Sequence, residues 1–163
     1  MEIIATFQRR AKVRKIFFTK IEVRIRGGKG MHRYFIASKL FEHPIDCFCP
    51  DGDHATVLPI EKGDIIELTN NRKFIMDRGW YFLVVVNNHE NCFYMAIDDL
   101  EYYYSKELIF SMLDIELKLN YSQYKIDQAL DEGDERIFRQ FTKQFKDLKE
   151  LWDAGTGSLS QSI

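Results

Sequence analysis

The chain has 163 residues, of which 45% are hydrophobic and 29% charged, values typical of one folded unit or two small ones. No apolar run approaches the roughly 18 residues of a membrane-spanning helix, and the N-terminal residues lack the apolar core and cleavage site of a secretory signal. Three cysteines without a framework of spacings predict a reducing compartment. We therefore expect a cytoplasmic protein with no membrane partner.

The N-terminal segment is strongly basic. Residues 1–33 carry ten lysines and arginines against two acidic side chains, whereas residues 34–104 carry five against twelve. The run Gly27-Gly28-Lys29-Gly30 stands directly before Met31, and its purine-rich codons would resemble a bacterial ribosome-binding site. Residues 1–30 are therefore predicted to be a basic extension created by a misassigned start, with Met31 as the true start. The alternatives are an arm that binds nucleic acid and an ordinary pair of solvated strands.

The middle of the chain, from Tyr34 to Asp98, alternates apolar and polar residues with turn formers between the runs. A turn is expected at Asn70-Asn71, and a short helical turn is expected at Asp98–Tyr102. The predicted strands are Tyr34–Phe41, Thr56–Leu58, Ile65–Leu68, Lys73–Met76, Trp80–Val86 and Cys92–Ile97.

This order of strands resembles an SH3-like barrel, with the match carried by Leu58–Leu68 and by Gly79-Trp80-Tyr81. The resemblance implies that residues 31–104 form a small, closed antiparallel β-barrel domain. The Ala-Leu-Tyr-Asp-Tyr and Pro-Ser-Asn-Tyr runs of peptide-binding SH3 domains do not occur in the sequence. A scaffold is therefore expected rather than a site for proline-rich peptides.

Residues 105–153 are predicted to form a helical hairpin. Ser105–Leu119 is ambiguous, and we read it as a helix near residues 105–112 followed by an extended piece. Asn120 predicts the N-cap of the first long helix, with Gln123 at the reciprocal position of a capping box.

The hairpin also has a predicted turn and a predicted end. Gly133 supplies the left-handed residue that ends the first helix, and Asp134 predicts the cap of the second. After the second helix, residues 154–163 are predicted to be a disordered tail, because two glycines and two small polar residues interrupt the helical pattern.

The second predicted helix carries an apolar stripe with alternating spacings of three and four residues. The first helix offers too little apolar surface to cover it, so the excess must pack on the barrel or on another protein. We expect a protein partner, because aromatic anchors dominate binding hot spots; a second copy of the chain is one candidate. The predicted partner-binding residues are Ile126, Leu130, Phe138, Phe141, Phe145, Leu148 and Trp152.

Ile126-Asp127-Gln128-Ala129-Leu130 resembles the Ile-Asp-Glu-Ala-Leu run of the IDEAL domain of Gram-positive bacterial proteins, with Gln128 in place of Glu. The match extends from Tyr124 to Thr142, a small part of the chain. It implies a non-enzymatic regulatory or adaptor role, and one form of that role is delivery of a client to an energy-dependent protease. The whole chain is thus predicted to be α+β, a small antiparallel SH3-like β-barrel followed by a C-terminal αα-hairpin.

The opposite face of the second helix carries a basic row, formed by Arg136, Arg139, Lys143 and Lys146. The row predicts either a solvated helix face or a contact with an acidic protein or nucleic acid. The alternative function is therefore a nucleic-acid-binding regulator that uses this row together with the N-terminal arm.

The sequence contains no phosphate loop, dinucleotide-binding glycine turn or His-Glu-x-x-His motif, so no catalytic residue and no cofactor are predicted. Cys47, Cys49 and His54, with Cys92 or His43, leave the question of a zinc site open. The Cys-X-Cys spacing is not that of the usual zinc knuckle, and we predict no metal.

Overall fold

The computed structural model describes residues 34–48, 56–87 and 91–160, and its fold is α+β. The predicted N-terminal extension and start site lie outside these residues. The strands are β1 (Tyr34–Ala37), β2 (Phe41–Ile45), β3 (Thr56–Ile60), β4 (Ile65–Ile75), β5 (Gly79–Val86), β6 (Asn91–Ala96) and β7 (Ile109–Ser111). The helices are α1 (Ile97–Ser105), α2 (Met112–Glu132) and α3 (Glu135–Ser160).

The sheet is open, so the predicted closed barrel is wrong. Five antiparallel strands lie in the order β6-β5-β4-β1-β7, while β2 and β3 form a separate two-stranded ribbon. Because the ribbon pairs only with itself, β6 and β7 remain at opposite edges of the described sheet. The edge strand β7 follows residue 104, so the predicted domain boundary there falls inside the sheet.

Both faces of the sheet are covered. Neighbouring residues on a strand point to opposite faces, and both Phe35 and Ile36 on β1 are buried. Phe35 belongs to a core shared with the ribbon and with α1, where Leu100 is buried. Ile36 belongs to a second core, whose other buried members are Ile65 of β4, Met112 and Ile115 of α2, and Leu148 and Leu151 of α3.

The turn predicted at Asn70-Asn71 is wrong, because β4 passes through it as one strand whose register shifts between Leu68 and Arg72. The hydroxyl of Thr69 donates to the carbonyl of Leu83 at 2.9 Å and accepts from the N–H of Asn71 at 3.2 Å. These bonds satisfy the polar groups at the irregularity, so the asparagines are accommodated as a bulge. We call residues 70–80 the β4–β5 finger.

Helix α2 starts eight residues before the predicted cap, and Asn120 lies inside it. The hydroxyl of Ser111 accepts from the N–H of Asp114 at 3.1 Å and so caps the helix. The predicted helix near 105–112 is also wrong, since α1 ends at Ser105 and β7 intervenes.

The other end of α2 agrees with the prediction. Gly133 has a φ of 68° at the C-cap, and Asp134 caps α3 by accepting from the N–H of Ile137 at 2.9 Å. Helix α3 then continues to Ser160, so the disorder predicted from residue 154 is wrong as far as that residue. The reason is close packing: a Cβ added at Gly155 would lie 2.9 Å from Cε of Met112, so this glycine lets α3 approach α2.

Candidate functional site

Helices α2 and α3, hereafter the helix pair, pack against each other across the link formed by Gly133 and Asp134. The rings of Tyr121 and Phe141 meet edge to face with centroids 5.9 Å apart. Polar side-chain bonds run along α2 itself, from Gln123 to Asp127 at 2.9 Å and from Gln128 to Glu132 at 2.8 Å. The helix pair is therefore ordered by its own contacts before any partner is considered.

The apolar stripe of α3 is largely covered within the chain. Leu148 is buried in the second core and Trp152 packs against it. Phe138, Phe141, Phe145 and Trp152 are half-buried, as is Ile126 of α2. Of the residues that the sequence predicted to bind a partner, Leu130 alone is exposed. Most of the surface assigned to a partner is thus occupied by α2 and the sheet.

A different surface of the helix pair is open. Leu117, Tyr121 and Tyr124 of α2 are 57%, 52% and 62% exposed, which is high for large apolar side chains. Their spacings of four and three residues place them on one side of the helix, pointing away from the buried Ile115 and Ala129. We call these three residues the outer stripe of α2.

Sequence reasoning missed the outer stripe because it began the helix at Asn120. That start left Leu117 in an extended segment and separated it from the two tyrosines. The signal that would have found it is Ser111 followed by Asp114, because a serine with an acidic residue three positions later marks a helix start. From that start, Leu113, Leu117, Tyr121 and Tyr124 fall at helical spacing.

The basic row of α3 faces solvent, since Arg136, Arg139, Lys143 and Lys146 are all exposed. Arg139 forms an ion pair with Glu135 one turn earlier, and Lys149 pairs with Asp153 at 2.9 Å. Exposed pairs of this kind contribute little to stability, but they reduce the positive potential of the row.

A shallow cavity of about 330 Å³ lies beside the helix pair, where α2 and α3 meet the edge strand β7. Phe110 and Leu151 supply apolar lining, and Lys118 and Lys143 supply the cations. The Lys118 ammonium lies 4.0 Å from the Phe110 ring centroid and 3.3 Å from a Glu107 carboxylate oxygen. One of the two cations is therefore already neutralised.

One face of the β4–β5 finger carries a cation held between rings. Nζ of Lys73 lies 3.3 Å from the ring centroid of Phe48 and 3.9 Å from that of Tyr94. Burial lowers the pKa of Lys73, while the rings favour its charged form. The ring of Phe48 also meets that of Tyr81 edge to face, with centroids 5.2 Å apart. This arrangement fastens the segment after β2 to the sheet.

Among the residues that the structure describes, the buried histidine is a core residue. His43 stacks on Phe93, and its Nδ1 lies 2.9 Å from the hydroxyl of Tyr103. Burial lowers the pKa of His43 to about 4 and, with the charge of Asp99, raises the pKa of Tyr103 to about 12. Both side chains are neutral at pH 7 and enclosed, so the pair ties β2 to α1 and has no access to a substrate.

Metal ligands do not converge in the part of the chain that the structure describes, which holds no group of three His, Cys, Asp or Glu side chains suited to an ion. Cys47 is disulfide-bonded, which the reducing compartment predicted from the cysteines did not lead us to expect, and Cys92 is a free, exposed thiol. Cys49 and His54 lie outside the described residues. None of α1, α2 and α3 is long and apolar enough to cross a membrane.

No family model, curated protein or solved structure matches this chain. The resemblance to the IDEAL domain therefore stays a prediction, and no comparison identifies the open sheet as SH3-like.

Proposed function

We propose that this chain is a non-enzymatic, cytoplasmic regulatory or adaptor protein that acts through protein–protein contacts of the C-terminal αα-hairpin formed by α2 and α3. The observation that supports the proposal is the outer stripe of α2. Its three large side chains stay exposed although the same helix buries Ile115 and Ala129 on its other side.

The energetics favour a protein as the partner. Burying a leucine-sized side chain stabilises a complex by about 1.5–3 kcal/mol, and tyrosine is enriched among the residues that dominate interfaces. Acidic and basic side chains lie on the two sides of the outer stripe, Glu116 and Asp127 on one and Lys118 and Lys125 on the other. An apolar centre with a charged rim is the usual anatomy of such an interface.

The adaptor class within this proposal comes from the IDEAL resemblance over Ile126–Leu130. Ala129 is buried, and Leu130 is exposed beside the link between the helices. We include delivery of a client to an energy-dependent protease as one form of this role, in which the client and the protease bind to different surfaces.

Photo-crosslinking in the native cell tests the proposal. A photoreactive phenylalanine at Tyr124 should capture a protein in high yield, and the same residue at Lys146, on the exposed side of α3, should not. The variant Leu117→Asp, which keeps the contact between Tyr121 and Phe141, should lose the crosslinked species while keeping the helical circular dichroism of the wild type. Equal capture at both positions, or capture that survives Leu117→Asp, contradicts the proposal.

The alternative is a nucleic-acid-binding regulator that uses the basic row of α3, favoured by the exposure of all four cations. Phosphate contacts would give an affinity that falls steeply with salt. Replacing Arg136, Lys143 and Lys146 with glutamine should then abolish binding to a DNA duplex at low salt. If duplex binding is absent, or unchanged in this variant, the row is an ordinary solvated face.

A further inference from the structure

The β4–β5 finger is rich in basic side chains, although the segment of chain that contains it is acidic. It holds three of the five lysines and arginines of residues 34–104 but one of that segment's twelve acidic side chains. An anion near this part of the molecule is therefore attracted to the finger and repelled by what surrounds it.

The finger also exposes aromatic and other apolar side chains on one face. Phe74, Met76 and Trp80 are 60%, 82% and 37% exposed. Phe74 and Trp80 are direct cross-strand partners, and their rings meet edge to face with centroids 5.3 Å apart. The guanidinium carbon of Arg72 lies 5.3 Å from the ring centroid of Trp80. Rings and a cation thus alternate along this face.

This exposure follows from where the finger lies in the sheet. Strand β1 pairs only with Ile65–Glu67 of β4, so the outer half of β4 has β5 as its single neighbour among the described strands. On β5, Phe82 at the base of the finger is buried, and Trp80 two residues further out faces solvent. Exposed rings and methionine on a protruding strand pair favour a binding role.

The basic side chains and exposed aromatic rings of the finger together indicate which class of ligand it would bind. The ligand must be anionic and must offer flat faces, and a nucleic-acid strand offers both at every nucleotide. A membrane fits less well, because the charged Asp77 and Arg78 share the turn with Met76 and would have to enter the bilayer with it. A duplex fits less well, because its bases stack on each other and hide their faces.

We propose that the β4–β5 finger binds single-stranded nucleic acid, with bases stacked on Phe74 and Trp80 and a phosphate held by Arg72. Arg78 takes no part, because it lies 4.0 Å from a carboxylate oxygen of Asp46, which accepts a hydrogen bond from Tyr81 on the opposite face of the finger. Lys73 lies on the other face of the finger with Phe48 and Tyr94, and it takes no part. This surface is separate from the helix pair, so the proposal of a nucleic-acid site does not depend on the adaptor role.

Fluorescence with defined oligonucleotides tests the site. In a Trp152→Phe background Trp80 is the single tryptophan of the chain, and stacking of a base should quench its emission. The probes are oligo-dT and oligo-U of about 12 nucleotides, within the range of site sizes of single-strand binders. We expect saturable quenching with both, and an affinity whose logarithm falls with log salt at a slope of about −0.7, as one phosphate contact on a single strand requires.

Variants separate stacking from folding. Phe74→Ala should weaken binding by about fivefold to about 150-fold, as loss of one stacked base worth about 1–3 kcal/mol predicts. In the wild-type background, followed by anisotropy of labelled oligonucleotide, Trp80→Phe should keep most of the affinity and Trp80→Ala should not. Arg72→Gln should lower the salt slope by about 0.7. The matched control Lys62→Gln, at an exposed lysine outside the finger and outside the basic row of α3, should change neither quantity.

Several results would overturn the assignment. These are no binding to either oligonucleotide at about 20 mM salt, equal or tighter binding to a duplex, and affinities unaffected by Phe74→Ala and Trp80→Ala. Binding of anionic vesicles or acidic peptides through these residues, without binding of the oligonucleotides, would also overturn it.

Discussion

The two long helices each carry an apolar stripe, and the stripes differ in what covers them. The stripe of α3, from Phe138 to Trp152, lies half-buried or buried against α2 and the sheet. The outer stripe of α2 faces solvent. Helical periodicity therefore identifies the apolar side of a helix, but the position of the neighbouring elements decides whether that side is core or surface.

The comparison also shows that the stripe with more aromatic surface is not the stripe that is exposed to a partner. The stripe of α3 is the richer of the two in aromatic rings, so it is the more obvious candidate for a partner. It is also the stripe that the chain can least leave exposed, because burying its rings supplies much of the stability of the helix pair. The smaller outer stripe of α2 is the one left for another protein.

The largest expected difference between the two stripes is in the unfolding free energy lost when their side chains are truncated. The variant Phe141→Ala/Phe145→Ala should lose about 4 kcal/mol of unfolding free energy, roughly half of the usual value for each fully buried phenylalanine, summed over the pair. The matched variant Leu117→Ala/Tyr124→Ala should lose less than about 1 kcal/mol. Urea unfolding followed by circular dichroism measures both. Similar losses in the two variants would mean that the stripes do not differ in burial.

The same contrast can be drawn with a single residue type. Leu148 is buried in the second core, and Leu130 is exposed beside the link. Leu148→Ala should lower the unfolding free energy by about 3 kcal/mol, and Leu130→Ala should change it by no more than about 0.5 kcal/mol. The thermal midpoints of the two variants give a quick comparison. A costly Leu130→Ala would place that residue in the core.

The ribbon should respond to acid through its buried histidine, His43. His43 has a pKa of about 4 in the fold against an ordinary value of 6.5. Because the folded value is the lower one, its contribution is complete above pH 6.5 and is lost as the pH falls towards 4. The loss is about 3 kcal/mol, at 1.4 kcal/mol for each pH unit.

His43→Leu provides the control for that titration, since it keeps an apolar side chain under the ribbon and removes the proton site. Unfolding free energies measured between pH 7 and pH 4 should fall more steeply for the wild type than for the variant. Parallel curves would mean that His43 does not carry the acid sensitivity.

The smallest expected effect compares two glycines at the ends of α3. Gly133 has a φ of 68°, so Gly133→Ala should cost about 1 kcal/mol. Gly157 lies within the helix with no atom near its Cβ position, so Gly157→Ala should stabilise by up to about 1 kcal/mol. Differential scanning calorimetry should show shifts of opposite sign. An unchanged midpoint for Gly157→Ala would mean that helical order at this position does not contribute to stability.

Local signals in the sequence were sufficient to predict the structure at positions where a single residue decides the backbone conformation. Gly133 and Asp134 act through their own backbone and side chain, and the structure agrees with both. The apolar run of β5 also lies where the alternation placed it, between Gly79 and Val86.

The other elements depend on contacts between residues far apart in the sequence. Such contacts leave weaker local signals, so these elements were predicted less well. Asn70 and Asn71 are turn formers, but pairing with β5 on both sides of them keeps β4 continuous. Gly155 resembles a helix stop, but packing against Met112 makes it an interior residue of α3. The closed barrel failed for the same reason, since periodicity cannot tell whether a ribbon joins a sheet or lies on it.

The position of β1 has a consequence for how the chain folds. One edge of β1 pairs with β4. The other edge pairs with β7, which is synthesised much later and whose Ile109 lies opposite Ala37. The face of Ile36 is closed later still, by Leu148 and Leu151 of α3. During synthesis, an early strand must therefore stay uncovered until nearly all of the described chain has left the ribosome. Contacts so distant in sequence slow folding and lengthen the exposure of unpaired backbone, so we expect the nascent chain to depend on chaperones more than its size suggests.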